Sequence, residues 1–158
     1  MATLLSVDLG LKTGLALYGE DGRLIWYRSK NFGSPKRLKA AVHPILKEAP
    51  ELQYVFVEGR GELGDIWLRA CNRIGVQLQF ISAEQWRGDL LYARHQRTGP
   101  DAKHHADQLA RKTIEWSGAA RPETSLRHDT AEAVLIGLWG VKKVGWLKKI
   151  PQLILRNR

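Results

Sequence analysis

Cysteine is almost missing: a single thiol, Cys71, excludes an internal disulfide and suits a reducing compartment. No apolar run approaches the roughly 18 residues that a membrane-spanning helix needs. The opening MATLLSVDLG has no basic lead-in and its apolar stretch is broken by Asp8, so it does not read as a secretory signal. Carboxylates are the scarcer charge, with 16 Asp and Glu against 25 Lys and Arg and a formal net charge of +9. Internal repeats, low-complexity tracts and linker-like stretches are also missing. These absences exclude a membrane span, a disulfide scaffold and a repeat array. They lead to the expectation of a cytoplasmic protein with no membrane partner.

What is present suffices for one domain around one core: 158 residues, 44% of them hydrophobic. Basic residues spread along the chain and gathered in its tail suggest a phosphate-bearing partner, most often nucleic acid.

The order of elements predicts an α/β arrangement. TLLSVDLG (3–10) reads as a strand ending in a turn. GLALYGEDGRLIWYRS (14–29) reads as two strands joined at Asp21-Gly22. Ser34-Pro35 opens a helix, as N-cap and N1, that Pro44 is expected to kink or interrupt. QYVFVEG (53–59) and VQLQFIS (76–82) are strands on either side of a helix at 64–75. Beyond Ser82, a likewise good N-cap, the chain turns helical. One helix places Ala102, Ala106, Leu109, Ala110 and Thr113 on one face, and the last starts in RHDTAEAVLIG (127–137). A meander, then helix–strand–helix–strand, then helices, implies a mixed sheet.

Four acids stand out against the basic background. Asp8 and Glu58 close apolar strands, and Asp129 and Glu132 open the final helix. A capping box would account for the second pair, with Asp129 as cap and Glu132 reaching back. It would not account for Glu58, because glutamate is a poor turn former and an unpaired buried carboxylate is costly. No Lys or Arg lies within those apolar runs. A divalent cation would resolve the conflict, since hard ions such as Mg²⁺ take carboxylate oxygens and leave positions for water and phosphate. The surrounding positive charge would then offset repulsion between these acids and a polyanion.

Asp in SVDLG, a three-stranded meander, Glu in VFVEG and D-x-x-E on the last helix together resemble the RuvC family of Holliday-junction resolvases, within the RNase H-like superfamily. The likeness spans about residues 3–140, and SAEQWRGDLL followed by a helix with Lys103 is similar to shorter, phage-type members. No single motif is specific; the ordered set is. The resemblance implies an RNase H-like fold with a five-stranded mixed sheet flanked by helices and a nuclease domain over 1–145, while composition sets off a basic tail over 146–158. It implies metal-dependent paired cleavage of four-way DNA junctions, with Asp8, Glu58, Asp129 and Glu132 both catalytic and metal-binding. Asp8 would bridge two Mg²⁺ ions, with Mn²⁺ able to substitute and no organic cofactor. Paired nicks in a two-fold junction imply a homodimer, and the helix with Ile66, Trp67, Ala70 and Cys71 is the face expected from the resemblance.

Two positions depart from the family pattern. Glu132 stands where the bacterial pattern has Asp, and no aromatic follows Glu58 until Trp67. His128, beside Asp129, either orients water or belongs to the loop. Candidate DNA contacts are Lys12, Arg60 between glycines, Tyr92, Arg94 and Arg97 in a basic loop, and Lys103, which the resemblance places near the scissile phosphate. His104, His105 and Asp107 read as a helix surface. The tail would lie on DNA, on a partner subunit or, least in keeping with Pro151, on a membrane. An actin-like ATPase reading of the Asp-Leu-Gly turn fails on length. A ribonuclease acting on RNA or an RNA–DNA hybrid, and a non-catalytic junction-binding module, stay open as alternatives.

Overall fold

Alternation along the first strand separates the two sides of the molecule. The structure is a computed structural model that describes residues 1–91, 98–123 and 125–155. In β1 (Thr3–Asp8), Leu5 and Val7 enter one apolar cluster while Leu4 enters another, as the two-residue period of a strand requires. Ser6 and Asp8 share the Leu4 side. β2 (Lys12–Gly19) and β3 (Leu24–Asn31) complete an antiparallel meander, turned at Gly22 with φ +82°. β4 (Leu52–Glu58) lies parallel to β1, and β5 (Gln77–Ile81) parallel to β4. The result is the expected five-stranded mixed sheet, in the order β3-β2-β1-β4-β5.

α1 (Pro35–Glu48) and α2 (Glu62–Ile74) cover the Leu5–Val7 side. α3 (Ala83–Leu90), α4 (Gly99–Ser117), α5 (His128–Lys143) and the short α6 (Gln152–Leu155) pack on the other. Ser34 caps α1, its side chain accepting from Arg37 N–H at 3.2 Å. The expected interruption does not occur, and α1 continues through Pro44. Pro44 and Ala40, whose carbonyl loses its partner, are both exposed, so water can satisfy that carbonyl. Buried Leu38, Val42, Ile45 and Leu46 hold the helix down on both sides of the proline.

α5 is buried at every position from Thr130 to Val141. Gly137 lets it approach the sheet closely: a Cβ there would stand 2.2 Å from the Tyr18 ring. Two hydroxyls from the sheet seal the contact. Ser6 donates to Ala133 O at 2.6 Å, and Tyr18 donates to Val134 O at 2.5 Å. Trp146, Leu147 and Ile150 pack on the α5-side cluster, and Ile154 is fully buried there.

Candidate metal centre

Strand register builds the first half of the site. Asp8 and Glu58 are direct partners across the parallel β1–β4 pair, at the carboxyl ends of both strands. On β4, Phe56 belongs to the α5-side cluster and Val55 and Val57 to the other, so Glu58 shares the face of Phe56 and thus of Asp8. The first turns of α5 supply the second half. Gly14 lets that helix start rest against β2, since a Cβ there would lie 1.9 Å from Asp129 O.

Glu132 is the acid that α5 brings in. One oxygen from each of Asp8, Glu58 and Glu132 lies within 4.8 Å of the others. They line a cavity of about 570 Å³ whose lining also includes Leu9, Arg60, Phe80 and Gln85. Burial is the largest influence on Asp8; with the neighbouring charges of Glu132 and Glu58, it pushes the carboxyl from 3.8 up to about 8. Glu58 is raised too, first by burial and then by Glu132, while the Trp86 N–H acts in the opposite sense. Among the described residues no lysine or arginine forms a salt bridge with Asp8 or Glu58. Clustered carboxylates, two of them raised by burial and by one another and without a basic partner, fit a hard divalent cation.

Glu132 differs from its two companions. Arg87 on α3 donates through Nη2 to its Oε1 at 2.5 Å, and His128 Nε2 lies 2.9 Å from the same oxygen. Arg87 was missed in the sequence because it lies outside the acid-bearing runs and 45 positions from its partner. Its only local signal is its place one turn into a well-capped helix. His128 is the first residue of α5 rather than part of the loop.

Asp129 stands apart from the three. Its Oδ2 accepts from the Ser29 hydroxyl and its Oδ1 from the Thr130 N–H, both at 2.8 Å. Its charge nonetheless contributes to the upward shift of Asp8. The capping box expected from Asp129 and Glu132 does not form. Arg127 is the N-cap residue and makes no side-chain capping bond, so Asp129 serves the helix start from its second position. The capping box occurs at α3 instead, between Ser82 and Gln85.

Of the expected DNA contacts, Lys12, Arg60 and Lys103 are exposed. Arg60 lines the cavity, with its guanidinium 5.3 Å from the centre of the Phe80 ring. Tyr92, Arg94 and Arg97 lie outside the described residues. The expected pairing face on α2 needs correction. Trp67 and Cys71 point into the core with no exposed surface, which leaves Ile66 and Ala70 half-buried beside α1. The same burial removes Trp67 as a ring that could stack on a base.

RuvC of T. thermophilus, in complex with Holliday junction substrate, aligns with 92% of this chain and 98% of its own, at a TM-score of 0.64 and 18% identity. The chain has the RNase H-like fold. The yeast mitochondrial Holliday junction resolvase Ydc2 shares it at a TM-score of 0.54 and 16% identity, over 92% of this chain and 81% of that one. No family model matches the sequence, and no curated protein matches it by sequence. Within the RNase H-like fold, Asp8 and Glu58 stand at the carboxyl ends of adjacent parallel strands, a usual place for a site in open α/β sheets, and Glu132 joins them from α5.

Proposed function

We propose that this protein is a divalent-metal-dependent endonuclease that resolves four-way DNA junctions by paired phosphodiester cleavage. The observation that carries the proposal is the meeting of Asp8, Glu58 and Glu132 in one cleft. The likeness of the fold to two junction resolvases supports it.

Asp8, Glu58 and Glu132 would hold Mg²⁺ or Mn²⁺, with Asp129 joining them if a second ion binds. The ions would supply Lewis acidity for attack on the phosphodiester and for departure of its leaving oxygen. The chain's own contribution is to position and to attract. Asp8 and Glu58 are set by strand register, and Glu132 by the close contact of α5 with the sheet. Lys12, Arg60 and Lys103 offer exposed positive charge to the phosphates flanking the cleavage point. Two copies of the chain would place two sites on a two-fold junction, and a homodimer therefore belongs to the proposal.

The test is cleavage of a labelled immobile four-way junction in Mg²⁺, with linear duplex, an RNA–DNA hybrid and EDTA as controls. Paired symmetric nicks confined to the junction are expected. Cleavage of the hybrid alone would replace the substrate, and tight junction binding without nicking in Mg²⁺ or Mn²⁺ would remove the activity.

A further inference from the structure

Two adjacent side chains of α3 each grip a different carboxylate. Trp86, with no exposed surface, donates its indole N–H to Glu58 Oε1 at 3.3 Å. Arg87, the next residue, donates to Glu132 Oε1 at 2.5 Å. Consecutive helical residues point about 100° apart, so one short helix can address a strand end and a neighbouring helix together. Glu58 and Glu132 come from elements that share no local sequence, and α3 donates a hydrogen bond to each.

The mount itself is held at both ends. Ser82 and Gln85 close a reciprocal capping box at its start, with bonds of 2.8 and 3.3 Å. In its last turn, Asp89 accepts from Trp139 Nε1 on α5 at 2.6 Å. The Arg87 guanidinium lies 5.1 Å from the centre of the Trp86 ring, so the two gripping side chains also pack on each other. A glutamate side chain has several rotatable bonds, and a carboxylate left loose must be ordered when an ion binds. Hydrogen bonds from such a support fix it in advance, and loss of this kind of partner typically weakens metal binding by about 10–100-fold.

We propose that Trp86 and Arg87 are positioning residues that hold Glu58 and Glu132 at the separation a divalent cation needs. The inference rests on the metal-binding reading above. Arg87 also adds a fixed positive charge beside Glu132, which lessens its repulsion of Asp8 and Glu58.

Calorimetric titration with Mn²⁺ tests this on the wild type and on Trp86→Phe, Arg87→Gln and Arg87→Lys, with thermal melting in EDTA alongside. Arg87→Gln and Trp86→Phe should each weaken Mn²⁺ binding about tenfold or more. Arg87→Lys, which keeps the charge but not the planar fork, should recover part of the loss. Arg87 is part-exposed, so its variants keep the test open should Trp86→Phe fail to fold. Wild-type affinity in folded variants with altered melting temperature would reduce both residues to structural parts and overturn the inference. Tighter binding by Arg87→Gln would also overturn it, making Arg87 a competitor of the cation. A wild-type protein that binds no Mn²⁺ would bring down the metal reading and this inference together, and the variants alone could not produce that result.

Discussion

Two buried tryptophans, one on each face of the sheet, show how differently the faces are used. Trp67 of α2 and Trp86 of α3 are both without exposed surface. Among the described residues the Trp67 indole N–H has no hydrogen-bond partner, whereas that of Trp86 donates to Glu58. The contrast extends to their surroundings. On the α1–α2 face the buried polar side chains that strand alternation places there, Thr3 and Thr13, bond to the nearby carbonyls of Pro50 and Gly10 and reach no carboxylate. On the α5 face, Ser6, Tyr18, Trp86 and Glu132 carry polar atoms into the interior, and most of these bonds secure α5 or a carboxylate. One face therefore works as ballast. The other accepts the cost of buried polar and charged groups to hold three acids together.

The sharpest way to break this comparison is Asp8→Asn on the α5 side. Junction cleavage should fall by about a thousandfold or more, roughly 4 kcal/mol of barrier. Junction binding should persist; a folded variant that no longer binds would argue against a metal-ligand role. On the opposite side, Leu46→Ala should cost about 2–5 kcal/mol in denaturant unfolding. The folded fraction should keep its cleavage rate, and a large loss of rate would mean that the faces are not separable.

A third test uses pH. Asp8 titrates near 8 in the fold against 3.8 in the reference state. Between those values the native protein keeps a proton that the unfolded chain has released. Without metal, stability should therefore fall as pH rises from about 4 to about 8 and then level off. Melting in EDTA at pH 5 and pH 8 measures this, with Asp8→Asn expected to flatten the slope. A melting temperature that rises over this interval in the wild type, without such flattening, would contradict the assignment.

Smaller effects sharpen the contrast. Tyr18→Phe, which removes the bond to Val134 O, should cost about 1 kcal/mol. Trp67→Phe gives up no hydrogen bond and loses only ring volume, so its cost should follow packing alone. Smallest of all, Arg60→Ala should weaken junction binding a few-fold and lower the salt slope by about 1 if Arg60 meets one phosphate. An unchanged salt dependence would remove it from the DNA interface.

Much of the fold was legible in the chain because its signals are local. Apolar runs ending at Asp8 and Glu58, the Asp21-Gly22 turn, and Ser34 and Ser82 as caps each act over a few residues. The three carboxylates were legible for a related reason: acids placed at the ends of buried elements conflict with their surroundings, and that conflict can be read from neighbours alone. Pro44 misled because its effect on α1 depends on whether water reaches the exposed side of the helix. Trp67 misled because an amphipathic helix does not announce which of its apolar residues meets the core. The partners of the acids were beyond local reading altogether. Arg87 meets Glu132 across 45 positions, and Ser29 takes Asp129 across 100. Local sequence determined which residues form strands and helices and which acids are out of place. Only the tertiary structure decided which of those acids converge and what holds them there, because side-chain contacts between distant segments depend on sheet order, register and the close approach of α5 at Gly14 and Gly137.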